Sequence, residues 1–205
     1  LAVERARADR LLENILPAAI ASQLKTSDAT IADRFDAVTI LFADIVGFTA
    51  FARSHQPAEV VDLLNALFSR FDDLVMDSGL EKIKTLGDGS MVAGGVPTPR
   101  PDHAAATAAL ALGMMEATGS LARDLNIEWG IRIGMHSGPV VAGVIGKRKF
   151  AYDLWGDTVN VASRLESTSE PGRIQLSEET ARLLGSEFSC EPRGTVSLKN
   201  RGDIA

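Results

Sequence analysis

Apolar and polar residues along the chain fall into segments with the periods of strands and helices. Residues 38–43 form an unbroken β-branched and apolar run, which predicts a buried central strand. Pro57 opens a helix whose apolar positions recur every three or four residues as far as Met76. A second long helix is predicted at about residues 102–124.

Short apolar segments bounded by turn residues predict the other strands, at residues 80–86, 91–96, 128–136 and 139–145. Gly87-Asp88-Gly89 separates the first two as a tight hairpin turn, and Ser137-Gly138 separates the last two. Asp157 is predicted to cap a further helix that ends near Glu166. The order β-α-β-β-α-β predicts an α+β fold of the ferredoxin-like, split βαβ type, with an antiparallel sheet, helices and C-terminal additions.

The N-terminal segment reads as an appendage to this domain. Residues 3–24 have apolar side chains at helical spacing, interrupted at Pro17. Two interpretations stay open: the helix packs on its own domain, or it dimerises or transmits a signal. Residues 26–36 are polar and linker-like, so we divide the chain into a helix and linker at residues 1–35 and a globular domain at residues 36–205.

Composition restricts the classes of partner. The 205 residues carry a formal net charge of −6, which disfavours broad binding to nucleic acids. The longest nearly apolar run, residues 104–115, is shorter than the ~20 residues of a membrane-spanning helix. The single Cys190 and the lack of a secretory signal predict a cytoplasmic location. Because the chain begins with Leu1, we expect it to be part of a longer polypeptide with a sensor or membrane domain upstream.

Two carboxylates at predicted turns are candidates for a ligand-binding site. Taken singly, Asp44 at the end of the first strand is more often a helix cap or turn former, and Asp88 is an ordinary hairpin residue. In the predicted fold both turns lie side by side, where two carboxylates repel unless a cation lies between them. With no matching Cys or His set, such ligands select Mg²⁺ or Mn²⁺. Backbone amides of residues 45–49, entering a helix, could bind phosphate oxygens. The pattern favours metal-assisted phosphoryl chemistry.

Four motifs carry a resemblance to a known family. They are ILFADIVGFT at residues 40–49, EKIKTLGDGSMV at 81–92, IRIGMHSGPVVAGVIG at 131–146 and YDLWGDTVNVASRLES at 152–167. In these stretches the sequence resembles the class III nucleotidyl cyclase catalytic domain in its adenylyl cyclase form. The motifs follow the family's order across residues 36–199, which is far more specific than one short pattern.

The resemblance implies a role for each matching residue. Asp44 and Asp88, with the carbonyl of Ile45, would bind two Mg²⁺ or Mn²⁺ ions; Lys84 and Asp153 would read the purine; Asn160 and Arg164 would stabilise the transition state; and Lys199 would bind phosphate. It also implies a head-to-tail homodimer whose shared sites convert ATP to 3′,5′-cyclic AMP and pyrophosphate. The metal aspartates would come from one chain and the purine-reading and transition-state residues from its partner.

The chemistry of these side chains agrees with the resemblance. Lys84 only donates hydrogen bonds and ionised Asp153 only accepts them, a pair that complements adenine and mismatches guanine. Asn160 and Arg164 are four residues apart and share a helix face. Two alternatives stay open: a silent regulatory domain that binds nucleotide without turnover, and a guanylyl cyclase. The retained metal aspartates and Arg164 speak against the first, and the Lys84–Asp153 pair speaks against the second.

Overall fold

The structure is a computed structural model that describes residues 7, 12, 15–27, 29–146, 149–198 and 202–204. The helices are α1 (Ala18–Thr26), α2 (Phe48–Ser54), α3 (Pro57–Ser78), α4 (His103–Leu125), α5 (Asp157–Ser167) and α6 (Glu178–Leu184). The strands are β1 (Ala32–Val46), β2 (Glu81–Leu86), β3 (Gly89–Gly94), β4 (Gly130–Ile145), β5 (Ala151–Trp155), β6 (Ile174–Leu176), β7 (Val196–Leu198) and β8 (Gly202–Ile204). None of the helices in these described ranges combines the length and apolar character that a membrane crossing requires.

The strand order confirms the predicted fold. The main sheet runs β2-β3-β1-β4-β5 with antiparallel neighbours throughout, while β6 adds to β4 in parallel. Strands β1 to β4 with helices α3 and α4 therefore make the β-α-β-β-α-β core of the ferredoxin-like type. Strands β7 and β8 form a separate two-stranded sheet near the C-terminus.

Alternation along β1 explains the two layers around the sheet. Leu41 points to a core that also contains Leu67 of α3 and Met114 of α4, all fully buried. The neighbouring Ile40 points to the opposite face, into a second core that contains Ile20 of α1. Because successive side chains of a strand point to opposite faces, a run that is apolar at every position predicts burial on both sides.

The structure differs from the sequence prediction at the N-terminal side of the sheet. Strand β1 begins at Ala32, inside the segment predicted as a linker, because residues 32–35 pair with β4 although their side chains are mostly exposed. Of the predicted helix at residues 3–24, the structure describes only parts, and α1 starts after Pro17. The burial of Ile20 supports the interpretation that this helix packs on its own domain. The division into two units stays a prediction.

Strand β4 is continuous where two strands were predicted. It passes through Ser137 and Gly138, and the irregularity lies instead in its partner β1, between Phe35 and Val38. A Cβ on Gly138 would come within 2.7 Å of the Thr158 hydroxyl, so the glycine serves close packing against α5 rather than a turn. Strand β5 pairs with β4 at one edge of the sheet and also contacts β2 at the other edge. The two ends of the strand order therefore approach each other, as in a nearly closed barrel.

A chain of buried hydrogen-bonding side chains links β4 to α4 through α6 and β1. Donor and acceptor distances along it run from 2.7 to 3.1 Å, and every member is buried. In order, its members are His136, Ser177, Thr180, Ser137, Thr39 and His103. The chain satisfies polar groups that would otherwise be costly to bury, and it accounts for His136 as a structural residue.

Candidate functional site

The first half of the candidate site is the meeting point of β1 with the β2–β3 hairpin. Asp44 stands opposite Gly89 in the β1–β3 ladder, so Asp88 in the turn lies beside it. A Cβ on Gly89 would lie 2.9 Å from the carbonyl oxygen of Ala43, and only glycine permits this close approach. Burial raises the pKa of Asp44, and the charge of Asp88 raises it further. The predicted juxtaposition of the two carboxylates is therefore present.

A cleft of about 360 Å³ opens at these carboxylates. Its walls are Asp44, Ile45, Val46, Gly47, Phe48, Thr49, Ala50, Asp88 and Arg132. Gly47 turns the chain from β1 into α2 with φ +91°, and a Cβ there would lie 3.0 Å from the Glu128 carbonyl oxygen.

The donor set of this cleft fits a hard divalent cation. The described part of the chain has no cluster of three or more His, Cys, Asp or Glu side chains arranged to hold a metal. Two carboxylates with a neighbouring main-chain carbonyl, that of Ile45, are the partial set that Mg²⁺ uses when substrate phosphates supply other ligands. The residues present therefore fit the metal ions that the resemblance implies.

Arg132 is a member of this site that the sequence reasoning missed. It stands opposite Asp44 in the β1–β4 ladder, and its Nη2 lies 2.8 Å from Asp44 Oδ2. Its Nε lies 2.6 Å from Oε1 of Glu166 on α5. The sequence does carry a signal for it, because Arg132 is a lone charge in an apolar segment, as Asp44 is in residues 38–51.

The second half of the candidate site is an ion pair between the two ends of the sheet. Nζ of Lys84 on β2 lies 2.6 Å from Oδ2 of Asp153 on β5. The other carboxylate oxygen of Asp153 accepts a hydrogen bond from the Leu154 amide at 2.8 Å, which fixes the carboxylate. Because Lys84 is 38% exposed and Asp153 is 18% exposed, the pair can be reached by a ligand.

Helix α5 carries the other two predicted residues one turn apart. Asn160 is exposed, whereas Arg164 is half-buried, and its Nη1 is buried without a hydrogen-bond partner among the described residues. The cap of this helix was predicted wrongly: Gly156, with φ 140°, is the N-cap, and Asp157 is the first helical residue. A glycine precedes the helix because the chain has a positive φ there and leaves β5 next to the backbone of β4, where a Cβ would lie 3.4 Å from the Pro139 carbonyl oxygen.

Two close contacts fix α5 on β4. At its first turn the Thr158 hydroxyl donates a hydrogen bond to the Pro139 carbonyl at 2.6 Å. At its last turn the backbone lies directly on Gly134, where a Cβ would be 2.5 Å from both the Ala162 carbonyl oxygen and Glu166 Cα. The positions of Asn160 and Arg164 therefore depend on a glycine in the neighbouring strand.

The structure separates the predicted residues into two groups. Asp44, Ile45 and Asp88 share the cleft, and within the described part of the chain none of Lys84, Asp153, Asn160 and Arg164 lines it. Lys199, the predicted phosphate-binding residue, lies outside the described residues.

Comparison with known proteins identifies the class of domain to which this fold and site correspond. Residues 30–205 match the family described as the adenylate and guanylate cyclase catalytic domain. An adenylate cyclase of Mycobacterium tuberculosis is 48% identical over 200 residues, covering 97% of this chain and 45% of that protein. Human retinal guanylyl cyclase 1 is 42% identical over 208 residues, covering 98% of this chain and 19% of that protein.

A solved structure gives the same result at the level of the fold. The guanylate cyclase domain of RhGC from Catenaria anguillulae, in complex with GTP, superposes with a TM-score of 0.80 and 34% identity. The match covers 84% of this chain and 94% of that domain. The chain therefore belongs to the adenylate and guanylate cyclase catalytic domain family. It spans less than half the length of the two curated relatives.

Proposed function

We propose that two copies of this domain convert ATP into 3′,5′-cyclic AMP and pyrophosphate. Family membership supports a cyclising reaction on a nucleotide, although the relatives include proteins named for adenylate and for guanylate. The observation that carries the choice of ATP is the Lys84–Asp153 ion pair. A donor beside an acceptor complements the ring nitrogen and amino group of adenine, whereas guanine presents the reverse pattern.

In this proposal Asp44, Asp88 and the Ile45 carbonyl hold two Mg²⁺ or Mn²⁺ ions. Such ions lower the pKa of the attacking ribose 3′-hydroxyl and neutralise charge on the triphosphate. The chain itself keeps the two carboxylates at a fixed separation, because β1 is buried up to Asp44 and Gly89 admits the close approach of the hairpin. The rigid placement avoids reorganisation during the reaction.

Helix α5 is proposed to act on the ribose and the reacting phosphate. Asn160 would hold the ribose, and Arg164 would meet the charge that develops on the α-phosphate as the 3′-oxygen attacks and pyrophosphate leaves. The buried, unpartnered Nη1 of Arg164 supports this role, because a buried donor without an acceptor is costly unless a ligand supplies one. Lys199 remains the proposed phosphate-binding residue.

The proposed homodimer unites the two groups of residues. Each site would take its aspartates from one chain and Lys84, Asp153, Asn160 and Arg164 from the other. Large apolar side chains that are 39 to 53% exposed on β4, on β5 and between them support a partner surface; they are Val141, Ile145, Phe150 and Trp155. Since ATP is the substrate, we place the domain in the cytoplasm, as part of a longer regulated protein.

Incubation of the purified domain with ATP and Mn²⁺, followed by chromatography, tests the reaction. We expect cyclic AMP and pyrophosphate in equal amounts, and their loss in Asp44→Asn. Asp73→Asn removes an exposed carboxylate of α3 and should retain the wild-type rate. Absence of cyclic AMP from the folded wild-type dimer would rule the proposal out, and ATP binding without turnover would favour the silent regulatory domain.

Mixing two inactive variants tests the shared site. Asp44→Ala and Arg164→Ala damage opposite halves of one site, so a heterodimer keeps one intact site of two. A random mixture should recover about a quarter of wild-type activity, because half of the dimers are mixed. Inactive mixtures with confirmed heterodimers would contradict the shared site.

A further inference from the structure

Arg132 bridges Asp44 of the cleft and Glu166 of α5 through different nitrogens of its guanidinium group. The Nη2 nitrogen lies 2.8 Å from Asp44, and the Nε nitrogen lies 2.6 Å from Glu166. Glu166 is the more buried carboxylate, with its side chain 13% exposed against 27% for Asp44. The proposed function gives no role to Arg132 or Glu166, and the roles of Asp44 and Arg164 do not require either contact.

We propose that Arg132 is the internal counter-ion of the metal cleft and that Glu166 is the positioning residue that holds it. In the metal-free chain the guanidinium neutralises Asp44, and a divalent cation that binds there displaces it. Glu166 then keeps the displaced guanidinium bound at Nε. The inference rests on the proposed function, because it concerns cation binding at Asp44 and Asp88.

The connectivity of the guanidinium allows this exchange. Nε is the nitrogen attached to the aliphatic stem, and Nη2 is at the far end of the planar group. A rotation that leaves the Nε contact with Glu166 in place can therefore move Nη2 away from Asp44.

Glu166 is placed to act through Arg132 rather than as a metal ligand. Its backbone is packed onto Gly134 of β4, which fixes the start of its side chain. Within the described residues, it does not form a three-member ligand cluster with Asp44 and Asp88. Its carboxylate instead attracts Arg132 and so weakens the ion pair between Arg132 and Asp44. An incoming cation must replace that ion pair in order to bind Asp44.

Binding of Mn²⁺ to the metal-free dimer, without nucleotide, tests the inference by electron paramagnetic resonance of free Mn²⁺. Arg132→Met should tighten binding and Glu166→Gln should weaken it, each by about twofold to fivefold for a partly exposed ion pair. Glu170→Gln, an exposed carboxylate just beyond α5, controls for the loss of one negative charge and should change the dissociation constant by less than about twofold.

The double variant Arg132→Met with Glu166→Gln is decisive. If Glu166 acts through Arg132, the glutamine substitution should change the dissociation constant by less than about twofold once Arg132 is absent. This variant also removes the charge of Glu166, the more buried carboxylate that Arg132→Met leaves unpaired, so it should be less destabilised than Arg132→Met alone. An equal weakening by Glu166→Gln in both backgrounds overturns the inference, as does weaker binding in folded Arg132→Met.

Asp44→Asn separates this inference from the proposed function. If that variant loses Mn²⁺ binding while the Arg132 and Glu166 variants match wild type, the metal site stands and the counter-ion role is refuted. If Asp44→Asn binds Mn²⁺ as well as wild type does, the metal site itself is refuted, and the counter-ion role with it.

Discussion

Replacing Gly134 by alanine places a methyl group between β4 and α5. The new Cβ would lie 2.5 Å from the Ala162 carbonyl oxygen and from Glu166 Cα, both backbone atoms. Ordinary contacts of a Cβ begin near 3.4 Å, so the helix must move away by about 1 Å or more. No flexible side chain is available to absorb the displacement.

Two consequences of known size follow from this movement. Overpacking of a close contact costs about 1 to 3 kcal/mol of the free energy of unfolding. The displaced helix also carries Asn160 and Arg164, and a misplacement of about 1 Å can lower a rate by about 100-fold. We therefore expect Gly134→Ala to lose far more activity than its remaining folded fraction explains.

Urea unfolding and the initial rate of cyclic AMP formation measure the two effects separately. Gly119→Ala is the matched control, because its Cβ would meet only the flexible end of Arg123 at 3.4 Å. That substitution lies inside helix α4 and should leave the rate unchanged and stabilise the fold by about 0.5 to 1 kcal/mol. A folded Gly134→Ala with at least a third of wild-type activity would show that this contact does not position α5.

Two further predictions concern the ends of the sheet. Lys84→Glu combined with Asp153→Asn should raise the ratio of kcat/KM for GTP to that for ATP by about 100-fold, because the hydrogen-bonding pattern at the purine edge is reversed. Competition assays with both nucleotides measure this ratio, and a wild type that already prefers GTP would contradict the reasoning. Burial raises the pKa of Glu81 from 4.5 to about 7. The folded chain then keeps a proton that the unfolded chain releases, so stability should fall as the pH rises between these values. Glu81→Gln should make the free energy of unfolding, measured by urea titrations, depend less on pH in this range. An unchanged slope would show that Glu81 is not the titrating group.

Local sequence patterns predict much of the fold. The β-α-β-β-α-β order follows from the apolar periods and from the Gly and Pro residues that interrupt them. Asp44 and Asp88 meet because strand order alone makes β1 and the hairpin neighbours. Long, strongly periodic elements and their adjacent turns were therefore accessible from the sequence.

The missed features depend on contacts distant in sequence. Strand β5 contacts β2 through Asp153 and Lys84, which lie 69 positions apart, so no local pattern marks this contact. The start of β1 at Ala32 was missed because exposed polar side chains hide a strand whose backbone is paired with β4. Arg132 is a lone charge in its strand, but this signal became informative only with the register that places Arg132 opposite Asp44.

The hydrogen-bonded chain has a direction between His136 and Ser137. Each hydroxyl has one proton to donate. Thr180 donates to Ser137, so Ser177 must donate to Thr180, and Nδ1 of His136 must donate to Ser177. The neutral imidazole of His136 therefore carries its proton on Nδ1.

Burial lowers the pKa of His103 at the other end of the chain, which favours its neutral form. Removing the proton from Nδ1 of His136 would require Ser177 and Thr180 to reverse their hydrogen bonds, or one of these bonds to break. The tautomer of a ring on β4 is thus set by two hydroxyl groups at the start of α6.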